Sequence, residues 1–206
     1  MRKTIAVLLG LTIVFGAYAK NDKDQNEFSI TYGQATLPQF AYVFGGVLGA
    51  AFTLGHFSFD NSHMLGAAGL EYVHYVNGWL GFGGAVTCDY MTSDAYTVAS
   101  DGTKTPSGKY NFGFASVMPV VKFAWLNRAH VGLYSKLAFG AGMAFDNGNG
   151  SGDSSGDSES KALDNVTFAG QVTPVGIDFG GETFRGFVEA GIGMQGVVNA
   201  GVRWQF

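Results

Sequence analysis

The sequence predicts an all-β fold: an eight-stranded antiparallel barrel that spans a membrane through its strands. Three observations predict it. The first is composition. The 206 residues hold 32 glycines, 18 phenylalanines, 9 tyrosines and 3 tryptophans, and 47% are apolar while 14% are charged. A typical soluble domain carries about 25% charged residues. Abundant glycine disfavours helices, and abundant aromatics are foreign to disordered chains. The second is period-2 alternation, with large apolar residues on one face and small or polar ones on the other. A soluble sandwich packs its large residues inward and would show the reverse. The third is an alternation of tight and long connections.

The elements follow in order. Arg2 and Lys3 precede an apolar stretch, 5–16, and Ala17-Tyr18-Ala19 supplies small residues at the positions a signal peptidase reads. Residues 1–19 are therefore expected to be a signal peptide, with the barrel domain over 20–206. Strands are expected over 27–35, 63–76, 79–91, 109–126, 129–146, 164–179, 183–193 and 197–206. In the third, Leu80, Phe82, Val86, Cys88 and Tyr90 oppose Gly81, Gly83, Ala85, Thr87 and Asp89. In the fifth, Val131, Leu133, Leu137 and Phe139 oppose Gly132, Tyr134, Lys136 and Gly140. In the seventh, Phe184, Val188, Ile192 and Met194 oppose Arg185, Phe187 and Glu189. The last strand, NAGVRWQF, sets Ala200, Val202, Trp204 and Phe206 against Asn199, Gly201, Arg203 and Gln205.

Asn77-Gly78, Asn127-Arg128 and Gly180-Gly181-Glu182 read as tight turns. The connections 36–62, 92–108 and 147–163 are long or polar, with a short one near Gln195-Gly196. This asymmetry places the tight turns and both ends on the periplasmic side of an outer membrane. Trp79, Trp125 and Trp204 all fall near that side, as aromatics at a membrane–water boundary do. Residues 37–54 carry helical spacing and are expected to form a short helix in the first outer loop, the alternative being an extra hairpin over 40–60. Alternation slips around Pro119 and Pro174. A bulge at each is expected, with Phe112 and Phe114 on the lipid-facing phase before Pro119.

With these residues in hand, the chain resembles the small eight-stranded outer-membrane β-barrel proteins of the OmpA-barrel and OmpX kind. The terminal VRWQF is similar to the signal such proteins present to the barrel-assembly machinery, which implies Val202, Trp204 and Phe206 as the recognised positions. The phrases MPVVKF, QVTPVGIDFG and GFVEAGIGMQGVVNAGVRWQF resemble barrel proteins of anaerobic Gram-negative bacteria. The resemblance implies location and fold, not activity.

For chemistry, counting from the periplasmic end puts Glu71, Lys122, Lys136, Glu189 and Arg203 in one inward layer. An eight-stranded interior is just wide enough for side chains to fill, so these charges must pair. The layer reads as a salt-bridge plug, or as an ion path. Arg185 and Asp178, nearer the turn, are expected to be solvated. A lipid-modifying enzyme would need a serine, a histidine and a carboxylate together. The spacing of His56, His63, His74 and His130 brings no such set together. DNGNGSGDSSGDSESK misses the EF-hand pattern at Gly148 and Asp157 and reads as a solvated loop. Cys88 is the sole cysteine, so this chain forms no intramolecular disulfide. A net charge of −4 gives no reason to expect nucleic acid. The expectation is a monomeric outer-membrane protein without cofactor, metal or catalysis. Its partners are membrane lipid, the assembly machinery and a surface ligand at the outer loops. The alternatives are a narrow porin-like channel, a lipid-modifying enzyme or a soluble secreted barrel.

Overall fold

The computed structural model describes residues 24–41, 57–98, 103–146 and 166–206. The signal-peptide segment, His56 and the stretch 147–163 lie outside the described residues, as does the side chain of His63.

Eight antiparallel strands close into one barrel: β1 (Asn26–Gln34), β2 (Phe57–Tyr75), β3 (Leu80–Val98), β4 (Lys104–Asn127), β5 (Val131–Asp146), β6 (Val166–Gly180), β7 (Phe184–Gly193) and β8 (Val198–Gln205). Each strand pairs with its sequence neighbours, and β8 returns to β1 with Val202 opposite Ile30. The closure leaves no unpaired edge at mid-height, which is how a sheet avoids exposing its backbone polar groups. The lower rim holds the start of β1, the end of β8 and the tight turns; the upper rim holds the other connections. At the β2–β3 turn, the Asn77 side-chain oxygen accepts from the Trp79 and Leu80 amides at 3.1 and 2.8 Å. That Asx geometry is what asparagine brings to a turn.

Three expectations need correction. Residues 92–108 are not a long loop: β3 and β4 run on as a hairpin, paired to Val98↔Lys104. β2 likewise starts at Phe57, inside the expected first loop. The expected bulge at Pro119 is absent. Even-numbered residues of β4 face the lumen from Phe114 through Ala124, with no register shift between them. Phe114 and Met118 are therefore buried inside. Pro119 faces outward and opposes Gly84 without breaking the ladder. The slip seen in the sequence arose because aromatics occupy the lumen in the upper half of this strand. The bulge at Pro174 is present, between Val172 and Val175.

Met194 also departs from its expected outward face. Gly193 has φ 146°, a value that favours glycine, and the chain turns there so that Met194 lies buried.

A helix, α1, begins at residue 37 and is described to residue 41. Ala35, at φ 58°, turns the chain inward after β1. Thr36 and Gln39 form a capping box: the Gln39 amide donates to Thr36 Oγ1 at 3.3 Å, and the Thr36 amide to Gln39 Oε1 at 3.2 Å.

Candidate functional site

Inside and outside are inverted relative to a soluble barrel. The exposed set includes Ile30, Leu70, Phe82, Val86, Val117, Phe139, Ile177, Val188 and Ile192, with Ile192 68% exposed. The buried set includes Glu27, Glu71, Lys122, Lys136, Asp178, Arg185, Glu189 and Arg203.

The sequence-predicted charges Glu71, Lys122, Lys136, Glu189 and Arg203 come together in one network. Lys136, from β5, spans the lumen and donates to Glu71 Oε2 on β2 at 2.9 Å and to Glu189 Oε2 on β7 at 2.7 Å. Asn199 donates to the same Glu189 carboxylate at 3.0 Å. Lys122 pairs with Glu27. Arg203 reaches Glu27 at 3.4 Å, Asp178 at 2.9 Å and Glu189 at 4.0 Å. Arg185 pairs with Asp178 at 2.8 Å. Four cations and four carboxylates thus form one connected neutral set among the described residues.

Two members overturn the solvated reading. Asp178 and Arg185 are buried, because the Arg185 guanidinium folds back across the lower mouth. There it donates to Asn127 Oδ1 at 2.9 Å and to the Arg128 carbonyl at 2.8 Å. Glu27 was missed. It is the second residue of β1 and follows a polar run, which masked its inward phase; the alternation of Glu27, Ser29 and Thr31 with Phe28, Ile30 and Tyr32 was the signal that could have found it.

Aromatic rings complete the layer. Arg203 lies between Tyr134 and Phe187, 4.5 and 4.4 Å from their centroids, and Lys122 stands 4.0 Å from the Tyr134 centroid. Such cation–π contacts strengthen as water is excluded. The Tyr134 hydroxyl donates to Glu189 at 2.8 Å and accepts from Arg203 at 2.7 Å. The rings fit because glycines lie beneath them. A Cβ on Gly176 would meet the Tyr134 ring at 2.3 Å, and one on Gly201 the Phe187 ring at 2.7 Å. Small inward residues opposite large ones are the packing code of a narrow barrel. Below the network, a void of about 10 Å³ lies between Tyr75, Tyr134, Asp178 and Gln205, room for about one water.

Above the network the lumen changes character. Asp89, buried on β3, accepts from the Thr36 hydroxyl and from Gln39 Nε2 at 3.4 Å, which fixes the start of α1 to the wall.

The remaining sequence-predicted residues fall outside the lumen. Trp79, Trp125 and Trp204 are exposed at the lower rim, with Tyr72, Phe179 and Phe184 beside them. Val202, Trp204 and Phe206 lie on the outer side of the C-terminal strand, Trp204 packed on Phe206 at 5.6 Å. Of the histidines with described side chains, His74 hydrogen-bonds Asn26 Oδ1 at 2.9 Å and His130 the Gly180 carbonyl at 3.1 Å. Neither forms a serine–histidine–carboxylate set. Among the described residues no three His, Cys, Asp or Glu side chains gather to hold a metal.

The fold and site define a class: a closed eight-stranded antiparallel barrel, apolar outside and ion-paired within. No protein-family model matches the chain, and no curated protein matches it. Among solved structures it is similar to the outer membrane protein Ail of Yersinia pestis, whose backbone structure was determined in a phospholipid bilayer nanodisc. The similarity covers 89% of this chain and 100% of that one, at 17% identity and a TM-score of 0.38.

Proposed function

We propose that the chain is an outer-membrane β-barrel protein of Gram-negative bacteria, with a structural or surface-interaction role carried by its upper connections and with no catalysis. The observation that carries this reading is the inversion of polarity. Large apolar side chains cover the outside, and a neutral set of ion pairs crosses the inside. Monomeric soluble proteins rarely leave an apolar surface of that extent uncovered. A bilayer covers it without cost to the strands, whose polar groups are satisfied within the ladder. Residues 1–19 fit this reading as a cleaved export signal, and Val202, Trp204 and Phe206 as the face read by the assembly machinery. The exposed tryptophans at the lower rim support a periplasmic boundary there.

The narrow-pore alternative is disfavoured by the packing of Lys136, Arg203 and Tyr134 across the lumen. Membrane fractionation with gel mobility before and after boiling tests the barrel. An outer-membrane band whose mobility changes on boiling is expected; a soluble periplasmic band of constant mobility would sink the reading. Planar bilayers holding the purified chain are expected to show no single-channel steps. Steps altered by Lys136→Ala would replace the plug with a pore.

A further inference from the structure

The upper half of the lumen holds an apolar cavity that the ion-pair network does not explain. Its volume is about 420 Å³, within the range of about 300–1,000 Å³ usual for ligand pockets. Phe112, Phe114, Ala144 and Met194 line it from the wall, Leu37 and Pro38 from α1. Among the described residues no charged side chain lines it, and Thr167 is the sole polar one. Water gains little in such a space, and a polar ligand would find almost no partner there.

The cavity lies beside a notch in the wall. β7 ends at Gly193 and β8 starts at Val198, while β6 continues upward to Val166. β6 pairs with β5 as far as Met143↔Val166, but its ladder with β7 reaches only Gln171↔Gly193. Beyond that pair the Met194 amide bonds to the Gly170 carbonyl and the Gln171 side chain bonds Gln195 and Gly196 of the turn, and among the described residues β6 has no β7 or β8 partner above Gly170. Residues 166–169 therefore stand above the β7–β8 turn by about 14 Å of strand length, at about 3.4 Å per residue.

The apolar exterior does not stop at this notch. Val166 and Phe168 on β6, and Phe139, Met143 and Phe145 on β5, are all exposed at or above it. Phe168 is 69% exposed, stacks on Phe139 at 6.1 Å, and also lines the cavity. The outer surface and the cavity wall are thus continuous through one side chain, next to a rim built by Ile192 and Val198.

We propose that this cavity receives one hydrocarbon chain of a bilayer lipid, which enters sideways over the β7–β8 turn from the leaflet level with the upper rim. The inference rests on the membrane-barrel reading. A chain taking this route passes from the lipid-facing surface, past Phe168, to Phe114 and Met194 without crossing water. The apolar side chains that dominate the described lining select the tail rather than the headgroup.

The test uses the full chain in phosphatidylcholine vesicles whose acyl chains carry bromine, a contact quencher of tryptophan. Phe112→Trp is placed in a background of Trp79→Phe, Trp125→Phe and Trp204→Phe. Its emission is expected to be lost in brominated vesicles relative to plain ones, and regained when Ala144→Phe or Thr167→Phe fills the cavity. Equal emission in both vesicles overturns the proposal, provided the parent chain's own three exposed tryptophans are quenched. Quenching that needs a brominated free fatty acid overturns entry from the bilayer. Unquenched tryptophans in the parent chain overturn the membrane reading itself. A second measurement needs no substitution: a phospholipid with a photoreactive diazirine at its chain end is expected to label Phe114 or Met194. Labels confined to outward residues such as Val188 and Ile192 would overturn the proposal.

Discussion

Lys136 shows what a single residue does in this lumen. Its ammonium is buried and is bonded to two carboxylates from different strands, Glu71 and Glu189. Lys136→Ala would leave those carboxylates buried without that cation. Breaking a buried pair in this way costs about 3–5 kcal/mol. The unfolding free energy of the folded barrel, read from its urea midpoint, is expected to fall by that amount. Adding Glu71→Gln and Glu189→Gln to the same variant should recover much of the loss, because neutral partners need no cation. Gly201 tests the packing beneath Arg203. An added Cβ would lie 2.1 Å from the Ile30 carbonyl oxygen and 2.7 Å from the Phe187 ring. Overpacking costs about 1–3 kcal/mol, so Gly201→Ala is expected to lower the same midpoint, whereas alanine at the open Gly84 is not.

At the scale of elements, the described start of α1 is fixed by its cap. The Thr36 hydroxyl serves the Gln39 amide and the buried Asp89 carboxylate together. An N-cap threonine contributes about 1 kcal/mol, and loss of a donor to a buried carboxylate adds to that. Thr36→Ala is expected to speed hydrogen exchange at the Phe40 amide, which bonds the Thr36 carbonyl at 3.0 Å. The β1–β8 amides should keep their protection. If the whole barrel exchanged faster, the cap would be part of the global fold rather than a local anchor. The strands also differ in how far they rise. β1, β7 and β8 end near the level where α1 starts, while β2 to β6 rise above it.

For the whole molecule, the decisive quantity is what surrounds it. Val86 is exposed on β3 between Leu70 and Val117. In water, arginine at such a site would change stability within about 0.5 kcal/mol. Near the middle of a bilayer it costs about 2–4 kcal/mol. Val86→Arg is therefore expected to lower the unfolding free energy measured in lipid vesicles by the larger amount. An unchanged value would mean that lipid does not cover this face.

Much of this was legible in the chain. Eight strands, their tight turns and their facing followed from alternation, because a strand's side chains can only alternate and glycine or asparagine marks each reversal. The five inward charges followed from the same count. The count failed where a strand's own pattern misleads. Phe112 and Phe114 look lipid-facing because large apolar residues elsewhere are, yet the unbroken β4 ladder carries Phe114 into the lumen. Glu27, Asp178 and Arg185 sit near strand ends, where periodicity is too short to tell a buried charge from a solvated one. The chain alone determined which residues alternate, and hence a barrel with two unlike faces. Closure of the sheet decided the rest. It alone sets β2, β5 and β7 across one narrow lumen, so that Lys136 meets Glu71 and Glu189, and it alone leaves the wall low at β7–β8. Those contacts join residues far apart in sequence, and no local pattern records a distance across a barrel.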